Sequence, residues 1–586
     1  MAGLFRIQIV RDRRDRPFTS WKPLPLDDLV GEVIHKQDGR DQRLETLLAS
    51  ISSSARPKTW HFAVGLLLAA PLPLLLAFKH DLIVNYTFQD LFIPMEAAWR
   101  ALQGQWPHTD FYSPLGLTYF ALHGLAAKLW GLDGQVVSRA NFIALPIVLL
   151  PALVFAARRL NAWSTVLLIV FLTTVVMSPI PLDGPERFVA YLANYNALGG
   201  ALCASLTLWA LGTVSQPSAG RDAIDSVLAG GMLLLLLFLK ITFFVLALVI
   251  VATGCVVIRR FWPRALVAGA VVAVGAAALE LVHPGLLAAY AMDLNRARLA
   301  NTTVFRGYHV WKAIRQDVLP VGIVLVLSAV MVWTVPRLWL FGAGCIAVAG
   351  ACVLVSTQNF DGFSVPVIVV VMVLADYLLT APPRLGLMGR PRLATAGMIV
   401  MAMATLPFLL THLIGMINVA RLHRSQGVVV ADGDVEPFRA IVWVRNPTEP
   451  AFVADGASMA EINRWKAFLP PDLANTVLSD GFALLRREGL TAERIASLSF
   501  SNPFPVGLHA PSPRGVALWW DEDRSYTVKR LRQGLVLGDA QVVMVPKIWF
   551  TYYNVSDLVD VVQATLDAGF TPHESQYWTA WVKRES

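Results

Sequence analysis

The first long polar segment of this chain holds an acidic residue that could do chemistry. It reads NYTFQDLFIPMEAAWRALQGQWPHTDFYSPLG over residues 85–116, and Asp90 stands at the start of an amphipathic stretch that ends at Gly104. A carboxylate placed beside an acceptor hydroxyl can take up its proton as a general base. The same position also suits a helix N-cap, where a carboxylate accepts backbone N–H bonds. The local pattern leaves both interpretations of Asp90 open.

Basic residues supply the complementary chemistry, a positive charge for a phosphate group. Lys240 lies in GGMLLLLLFLKITFF, between apolar residues on both sides. A lysine is costly in lipid, so we expect it to face a cavity or a partner in preference to snorkelling to an interface. The polar segment 283–318 carries arginines, which clamp phosphate through paired N–H groups. The arginines considered as phosphate ligands are Arg296, Arg298 and Arg306. An amphipathic helix resting on anionic lipid headgroups explains them equally well.

Three further acids are candidates for a second carboxylate or for holding an acceptor. Asp110 follows in the first polar segment, and Asp183 and Glu186 lie in PLDGPERF. The latter two could orient an acceptor or hold a divalent ion, although Asp-Gly is also typical of a turn. Two acids without further oxygen ligands do not define a metal site. No metal site is therefore predicted, and a divalent ion stays an open alternative.

The elements that must position these residues are membrane helices. The chain has 586 residues, of which 55% are hydrophobic and 15% charged, with a mean hydropathy of +0.55. Its apolar runs have the length of about 20 residues that a helix needs to cross a bilayer. The net charge of +8 comes mainly from short basic flanks of these runs, which indicates membrane orientation and excludes nucleic-acid binding. The predicted crossings are 60–78, 139–157, 162–181, 194–214, 226–240, 241–258, 264–282, 319–335, 338–356, 364–380 and 394–416.

About eleven crossings predict a polytopic α-helical protein with its N-terminus in the cytoplasm. Residues 1–59 form a cytoplasmic segment, and residues 60–416 form the transmembrane part with a large first outer loop at 79–138. Residues 417–586 alternate short β-rich and helical runs, which predicts an extracytoplasmic α/β domain. This topology requires that the semi-apolar stretch 112–131 does not cross fully but lies at the outer interface or re-enters. The predicted location is a bacterial inner (plasma) membrane.

The spacing of residues in the first outer loop resembles that of GT-C glycosyltransferases. These are polytopic membrane enzymes that use polyprenyl-phosphate sugars, such as protein mannosyltransferases and aminoarabinose transferases. The residues that carry the resemblance are Asp90, Gly104, Pro107, Asp110, Phe111, Ser113, Pro114 and Gly116. In that superfamily the acid at the place of Asp90 is the catalytic carboxylate, so the resemblance implies the same role here. Many of its families have Asp-Glu at this place, where this chain has Asp90-Leu91.

The resemblance implies transfer of a sugar from a polyprenyl-phosphate donor to an envelope glycan, lipid or protein on the outer face. Asp90 would be the base and Lys240 the partner of the donor phosphate, with inversion at the anomeric carbon. The alternative is an envelope polysaccharide polymerase or a flippase or transporter that transfers no donor sugar. Those proteins more often show repeats or broken helices at the membrane midplane. The C-terminal polar domain favours the transferase.

Overall fold

The computed structural model describes most of the chain from residue 57 onward. The described ranges are 57–84, 88–182, 189–192, 194–212, 218–258, 261–300, 307–357, 364–380, 390–444, 471–522, 525–531, 533–548 and 556–585. All of them belong to one compact unit, Ser54–Ser586. The predicted cytoplasmic segment 1–59 therefore lies almost entirely outside the described residues. The boundaries at 59 and 416 stay predictions.

The first part of the fold is helical. Its helices are α1 (Thr59–Ala69), α2 (Pro71–Phe78), α3 (Phe92–Leu102), α4 (Leu117–Trp130), α5 (Val136–Arg159), α6 (Ala162–Met177), α7 (Asn194–Leu211), α8 (Ala219–Leu237), α9 (Ile241–Val257), α10 (Trp262–Val282), α11 (Leu286–Ala300), α12 (Gly307–Thr334), α13 (Trp339–Ser356), α14 (Ser364–Thr380) and α15 (Arg390–Arg421). Each predicted crossing coincides with one of these helices, or with α1 and α2 together. The semi-apolar stretch 112–131 forms α4, which packs between α3 and α5.

Length and composition distinguish these helices. Among the described residues, α5, α10, α13 and the part of α15 from Ala396 are long and apolar enough to cross a membrane alone. Helices α1 and α2 meet the same test as a pair bent by 43°. Shorter apolar helices are α6, α9, Asp317–Trp333 within α12 and Ser364–Tyr377 within α14. The fold is thus mostly helical and apolar, while the number of crossings stays a prediction.

Ion pairs join the ends of three bundle helices. Arg158 of α5 contacts Asp222 and Asp225 of α8, each at 2.6 Å. Arg159 contacts Asp225 at 2.8 Å, and Arg264 of α10 contacts Asp222 at 2.7 Å. We call these five residues the arginine cluster. Because opposite charges alternate within it, the cluster fastens α5, α8 and α10 to one another.

Two small sheets accompany the helical bundle. The strands are β1 (Leu82–Val84), β2 (Val428–Val429), β3 (Ile441–Trp443), β4 (Ile495–Ser497), β5 (Val542–Pro546), β6 (Phe570–Glu574) and β7 (Trp578–Lys583). In the first sheet, of order β1-β3-β2, β1 from the first predicted outer loop pairs in parallel with β3. The second sheet has the order β4-β5-β7-β6, with β4 parallel to β5 and the other pairs antiparallel.

Helices accompany the second sheet, so the C-terminal part of the chain mixes α and β structure. They are α16 (Pro471–Arg487), α17 (Phe504–Leu508), α18 (Gln533–Leu537) and α19 (Ser556–Gly569). The hydrophobic faces of α19 and of the sheet meet through Leu558, Val562, Leu566 and Phe570. Alternation of apolar and polar residues along these elements explains the arrangement, because each buries one face only.

An extended segment ties the C-terminal part to the first predicted outer loop. The backbone of Tyr112 donates to the Val516 carbonyl oxygen at 2.9 Å and accepts from the Leu518 N–H at 3.0 Å. The Trp99 indole N–H donates to the Ala510 carbonyl oxygen at 2.8 Å. These bonds satisfy backbone groups that would otherwise be buried without partners. Residues 510–518 therefore hold the loop that carries Asp90.

Candidate functional site

Asp90 lies in a 3-10 turn, Phe88–Leu91, immediately before α3. The N-cap residue of α3 is Leu91, so Asp90 lies one residue before the N-cap position of this helix. The C-terminal part of the chain supports the turn. The Ser501 hydroxyl donates to the Gln89 carbonyl oxygen at 2.9 Å, and the Phe88 ring stacks on Trp443 at 4.0 Å. The turn is thus positioned by residues far from it in sequence.

A buried tyrosine lies within range of the negative charge of Asp90. Tyr119 of α4 is 3% exposed, and its hydroxyl has no hydrogen-bond partner in the part of the chain that the structure describes. Burial, followed by the proximity of Tyr195 and the negative charge of Asp90, raises the pKa of Tyr119 well above its usual range. The Tyr119 and Tyr195 rings meet edge to face, with centroids 6.3 Å apart. A neutral phenol therefore contacts the Tyr195 ring at the start of α7 and is affected by the charge of Asp90.

Lys240 lies on the other side of Tyr195, at the junction between α8 and α9. Its ammonium nitrogen is 4.7 Å from the centre of the Tyr195 ring and 5.8 Å from that of Phe243. Aromatic faces attract cations, so the ammonium is held against rings inside the bundle. We call Asp90, Tyr119, Tyr195 and Lys240 the tyrosine cluster. The two residues proposed from sequence as base and cation thus belong to one group.

A close approach of two backbones sets the position of Lys240. The N–H of Gly116 donates to the Leu239 carbonyl oxygen at 3.0 Å, and the N–H of Thr118 donates to the Phe238 carbonyl oxygen at 2.8 Å. A Cβ atom at position 116 would meet the Phe238 oxygen at 2.2 Å, so only glycine fits. These carbonyl groups are accessible because α8 ends at Leu237 and α9 begins at Ile241. The break between the helices and Gly116 therefore position the lysine together.

The start of α7 adds hydrogen-bond donors to the tyrosine cluster. Asn194, its first residue, is 7% exposed, and its side-chain nitrogen has no partner in the described ranges. The N-terminus of a helix carries a partial positive charge and attracts anions. Tyr195 follows directly and carries the Lys240 ammonium on its ring. This end of α7 suits a phosphate group.

The structure gives the remaining described sequence candidates partners of their own. Arg296 pairs with Asp293 at 2.9 Å, and Arg298 donates to the Asn295 side chain at 3.0 Å. No contact described for these arginines joins them to the tyrosine cluster. Asp110 accepts a hydrogen bond from the Trp106 N–H at 2.7 Å and lies 3.4 Å from Arg514, which is the geometry of a turn. The other candidates, Arg306, Asp183 and Glu186, lie outside the described residues.

Potential metal ligands do not form a cluster among the described residues. Within the described ranges, no three or more His, Cys, Asp or Glu side chains lie close enough together to hold a metal ion. Because Asp183 and Glu186 are outside those ranges, this observation does not bear on them. A divalent ion at these two acids therefore stays the open alternative that the sequence left.

Sequence reasoning missed the roles of Tyr119 and Tyr195. Tyr119 suited an interfacial helix, because aromatic rings are common at the headgroup level. Tyr195 lies near the start of the predicted crossing 194–214 and was not considered as a site residue. The sequence around either tyrosine gives no local signal, because their contacts join residues that are distant along the chain. The pairing of Asp293 with Arg296 did have a local signal, their spacing of three residues on a helix.

Comparisons with known proteins gave structural matches. Neither the protein-family models nor the curated proteins include a match to this sequence. The structure is similar to ArnT from Cupriavidus metallidurans in the apo state, with 12% identity and a TM-score of 0.45, covering 89% of this chain and 97% of that chain. The same protein bound to undecaprenyl phosphate matches with 12% identity and a TM-score of 0.45, covering 90% and 98%.

A third similar structure is the archaeal oligosaccharyltransferase AglB from Archaeoglobus fulgidus, in complex with an inhibitory peptide and a dolichol-phosphate. It has 10% identity and a TM-score of 0.32, and the match covers 90% of this chain and 74% of that chain. ArnT, an aminoarabinose transferase, and AglB are GT-C proteins, the class that the first-loop motif resembles. All three TM-scores are below 0.5, so the function proposed for this chain rests on its own residues.

Proposed function

We propose that this protein is a membrane glycosyltransferase that moves a sugar from a polyprenyl-phosphate donor to an envelope glycan, lipid or protein. The observation that carries the proposal is the tyrosine cluster, in which the Lys240 ammonium lies over the Tyr195 ring, and Tyr195 contacts the buried Tyr119. The negative charge of Asp90, from a distant segment, acts on the same Tyr119. Sugar transfer from a lipid phosphate needs both groups, a base for the acceptor and a positive charge for the leaving phosphate.

In the proposed reaction Asp90 accepts the proton of the acceptor hydroxyl while that oxygen attacks the anomeric carbon. The bond from this carbon to the phosphate oxygen breaks, and its electron pair leaves with the phosphate. A phosphate is a stable anion, so its departure needs no proton. Lys240 and the start of α7 stabilise the negative charge that develops. Direct displacement inverts the configuration at the anomeric carbon.

The other candidate residues have supporting roles in the proposal. Arg296, Arg298 and Arg306 contribute to binding of the donor phosphate. Asp110, Asp183 and Glu186 are candidates for orienting the acceptor, and the last two for a divalent ion. The site faces the outer side of a bacterial inner membrane, with the N-terminus in the cytoplasm and residues 417–586 outside. Helices long and apolar enough to cross a membrane support the location in a bilayer.

The test is transfer of labelled sugar from a panel of polyprenyl-phosphate donors in proteoliposomes, with Asp90→Asn beside the wild type. We expect wild type to consume one donor and Asp90→Asn to be slower by about 1000-fold, within the range for loss of a general base. The matched control is Asp133→Asn, the same substitution in the same predicted loop, where the carboxylate pairs with Arg139 at 3.0 Å. It should keep its rate within about twofold, as is usual for a partly exposed ion pair.

Two outcomes would contradict the proposal. If Asp90→Asn keeps the full rate, Asp90 is not the base. If wild type consumes no donor although both carrier lipid and sugar are varied, the polymerase or flippase alternative becomes the better explanation.

A further inference from the structure

A buried carboxylate outside the tyrosine cluster joins the first predicted outer loop to α11. Asp293 of α11 is 1% exposed. One of its oxygens accepts from the His108 ring Nδ1 at 3.0 Å and from the Ser113 N–H at 3.2 Å. The other accepts from the Arg296 guanidinium at 2.9 Å. Asp293 thus binds two segments at once, and one of its partners is a candidate phosphate ligand.

The histidine in this group is held in an unusual conformation. His108 has a φ of 74°, a left-handed backbone conformation that costs free energy in a residue other than glycine. Its ring lies 4.6 Å from that of Tyr290, and its side chain is fully buried. Such strain persists only where surrounding contacts outweigh it. The bond from His108 to Asp293 is one of those contacts, so the first loop is fixed against α11.

The same helix is also attached to the segment that carries Lys240. The Tyr290 hydroxyl donates to the Leu237 carbonyl oxygen at 2.6 Å, at the last residue of α8. The Tyr290 and Phe238 rings stack with centroids 5.6 Å apart. Lys240 follows two residues after Phe238. Helix α11 therefore has a defined position relative to both the Asp90 loop and the Lys240 junction.

The Arg296 guanidinium is bonded to Asp293 through one nitrogen and is otherwise accessible. Its side chain is 51% exposed, although Asp293 is buried. A guanidinium has five N–H donors, and the described bond to Asp293 uses one nitrogen. The Arg296 guanidinium carbon also lies 5.9 Å from the centre of the Tyr112 ring. The bond to Asp293 orients one edge of the guanidinium, and the remaining N–H groups can still donate to an anion, which lowers the entropic cost of binding.

We propose that Asp293 is a positioning residue, which orients Arg296 so that its remaining N–H groups bind the phosphate of a polyprenyl-phosphate ligand. The inference rests on the proposed function, since it concerns the same donor. A phosphate site oriented by Asp293 differs from a general attraction of α11 to anionic headgroups. That attraction needs the charge of Arg296 but no defined orientation of its guanidinium. The carboxylate also ties this orientation to the first loop through His108.

The experiment is binding of undecaprenyl phosphate to the purified full chain in nanodiscs of zwitterionic lipid. We expect Asp293→Asn to weaken binding by about tenfold, the factor that follows from loss of one charge-assisted hydrogen bond. Arg296→Ala should weaken it at least as much. The double variant should bind no more weakly than Arg296→Ala alone, because two residues acting through one contact are not additive. Asp293→Glu should restore part of the affinity.

The matched control is Asp480→Asn, the same substitution at a different carboxylate, which accepts two hydrogen bonds. Asp480 accepts from the Ser575 hydroxyl at 2.6 Å and from the Tyr577 N–H at 2.9 Å, in the C-terminal part of the chain. This variant should keep the affinity of wild type even if its melting temperature falls. For Asp293→Asn we expect a raised KM for the donor with kcat within about twofold, a split that a loss of folding alone would not produce.

Four results would overturn the inference. Equal binding by wild type and Asp293→Asn would show that the carboxylate does not position Arg296 and would leave the proposed function intact. Additive losses in the double variant would show that Asp293 has only a structural role. Equal competition by phosphatidylglycerol would show that Arg296 contacts lipid headgroups in general. No binding and no transfer by wild type, with any donor, would overturn both proposals together.

Discussion

The arginine cluster and the tyrosine cluster both place charges among apolar helices, but different kinds of side chain surround those charges. In the arginine cluster each arginine lies within 2.6 to 2.8 Å of a carboxylate on another helix. In the tyrosine cluster the Lys240 ammonium lies over an aromatic ring, and the hydroxyl of Tyr119 has no partner in the described part of the chain. Ion pairs between helices fasten the helices together, whereas a buried hydroxyl without a protein partner suits a ligand.

The largest expected effect concerns the cation of the tyrosine cluster. Lys240→Met keeps the apolar stem and removes the charge, so we expect the transfer rate to fall by about 100- to 1000-fold, as for loss of one group that stabilises developing charge. The melting temperature should stay close to that of wild type. The measurement is kcat for labelled sugar transfer in proteoliposomes.

The control for that variant comes from the arginine cluster. Arg264→Met removes a charge that pairs with Asp222 at 2.7 Å, and its transfer rate per folded molecule should stay within about twofold of wild type, since it is a partly exposed ion pair. If Lys240→Met were as active as Arg264→Met, the two clusters would not differ in function.

The next effect should appear in stability. Asp225→Asn leaves Arg158 and the buried Arg159 without this carboxylate partner. Breaking a buried pair on one side leaves an uncompensated charge, so the free energy of unfolding should fall by about 3–5 kcal/mol. The measurement is denaturant unfolding in detergent, with the transfer rate of the remaining folded protein recorded beside it. Asp222→Asn, at a more exposed carboxylate, should cost about 1 kcal/mol or less.

A loss of activity in Asp225→Asn without a loss of stability would contradict the comparison. It would mean that the arginine cluster takes part in the reaction, and that the two clusters are not separate in function.

The smallest expected effect concerns the hydroxyl of Tyr119. Tyr119→Phe removes this group alone, and we expect kcat/KM to fall by about tenfold, the cost of one hydrogen bond to a charged or reacting group. Because the pKa of Tyr119 is raised well above its usual range, the phenol stays neutral throughout the pH range 6 to 9. The ratio of variant to wild-type rates should therefore be constant across that range.

The measurement is a pH profile of both proteins, with Tyr577→Phe in the C-terminal part as control. A ratio that changes near neutral pH would show that Tyr119 titrates there, which is incompatible with a buried phenol beside a carboxylate. An unchanged rate in Tyr119→Phe would remove the tyrosine from the site and leave Asp90 and Lys240 in it.

Helix positions were largely predictable because apolar runs are a local property of the chain. The run 226–240 shows the limit of this approach, because α8 begins earlier, at Ala219. Its first turns contain Asp222 and Asp225, which interrupt the apolar run. The helix continues through them because their charges are paired with arginines of α5 and α10. Composition alone does not contain that pairing.

The candidate site was predictable in its residue types but not in its arrangement. Lys240 was recognisable because it stands among apolar residues, and Asp90 because the first-loop motif resembles that of GT-C proteins. Asp110 has similar local features, yet the structure places it in a turn with Trp106 and Arg514. Whether an acid borders a ligand site or a turn depends on which segment packs against it.

The sequence by itself determined the apolar helices, the polar segments between them and the presence of an acid and a lysine suited to phosphate-sugar chemistry. Only the tertiary structure decided that Tyr119 and Tyr195 join these two residues, and that Asp293 joins Arg296 to His108. The physical reason is that secondary structure and hydropathy arise from neighbours along the chain. Contacts such as that of Gly116 with Phe238 arise from the packing of distant segments, which no local pattern encodes.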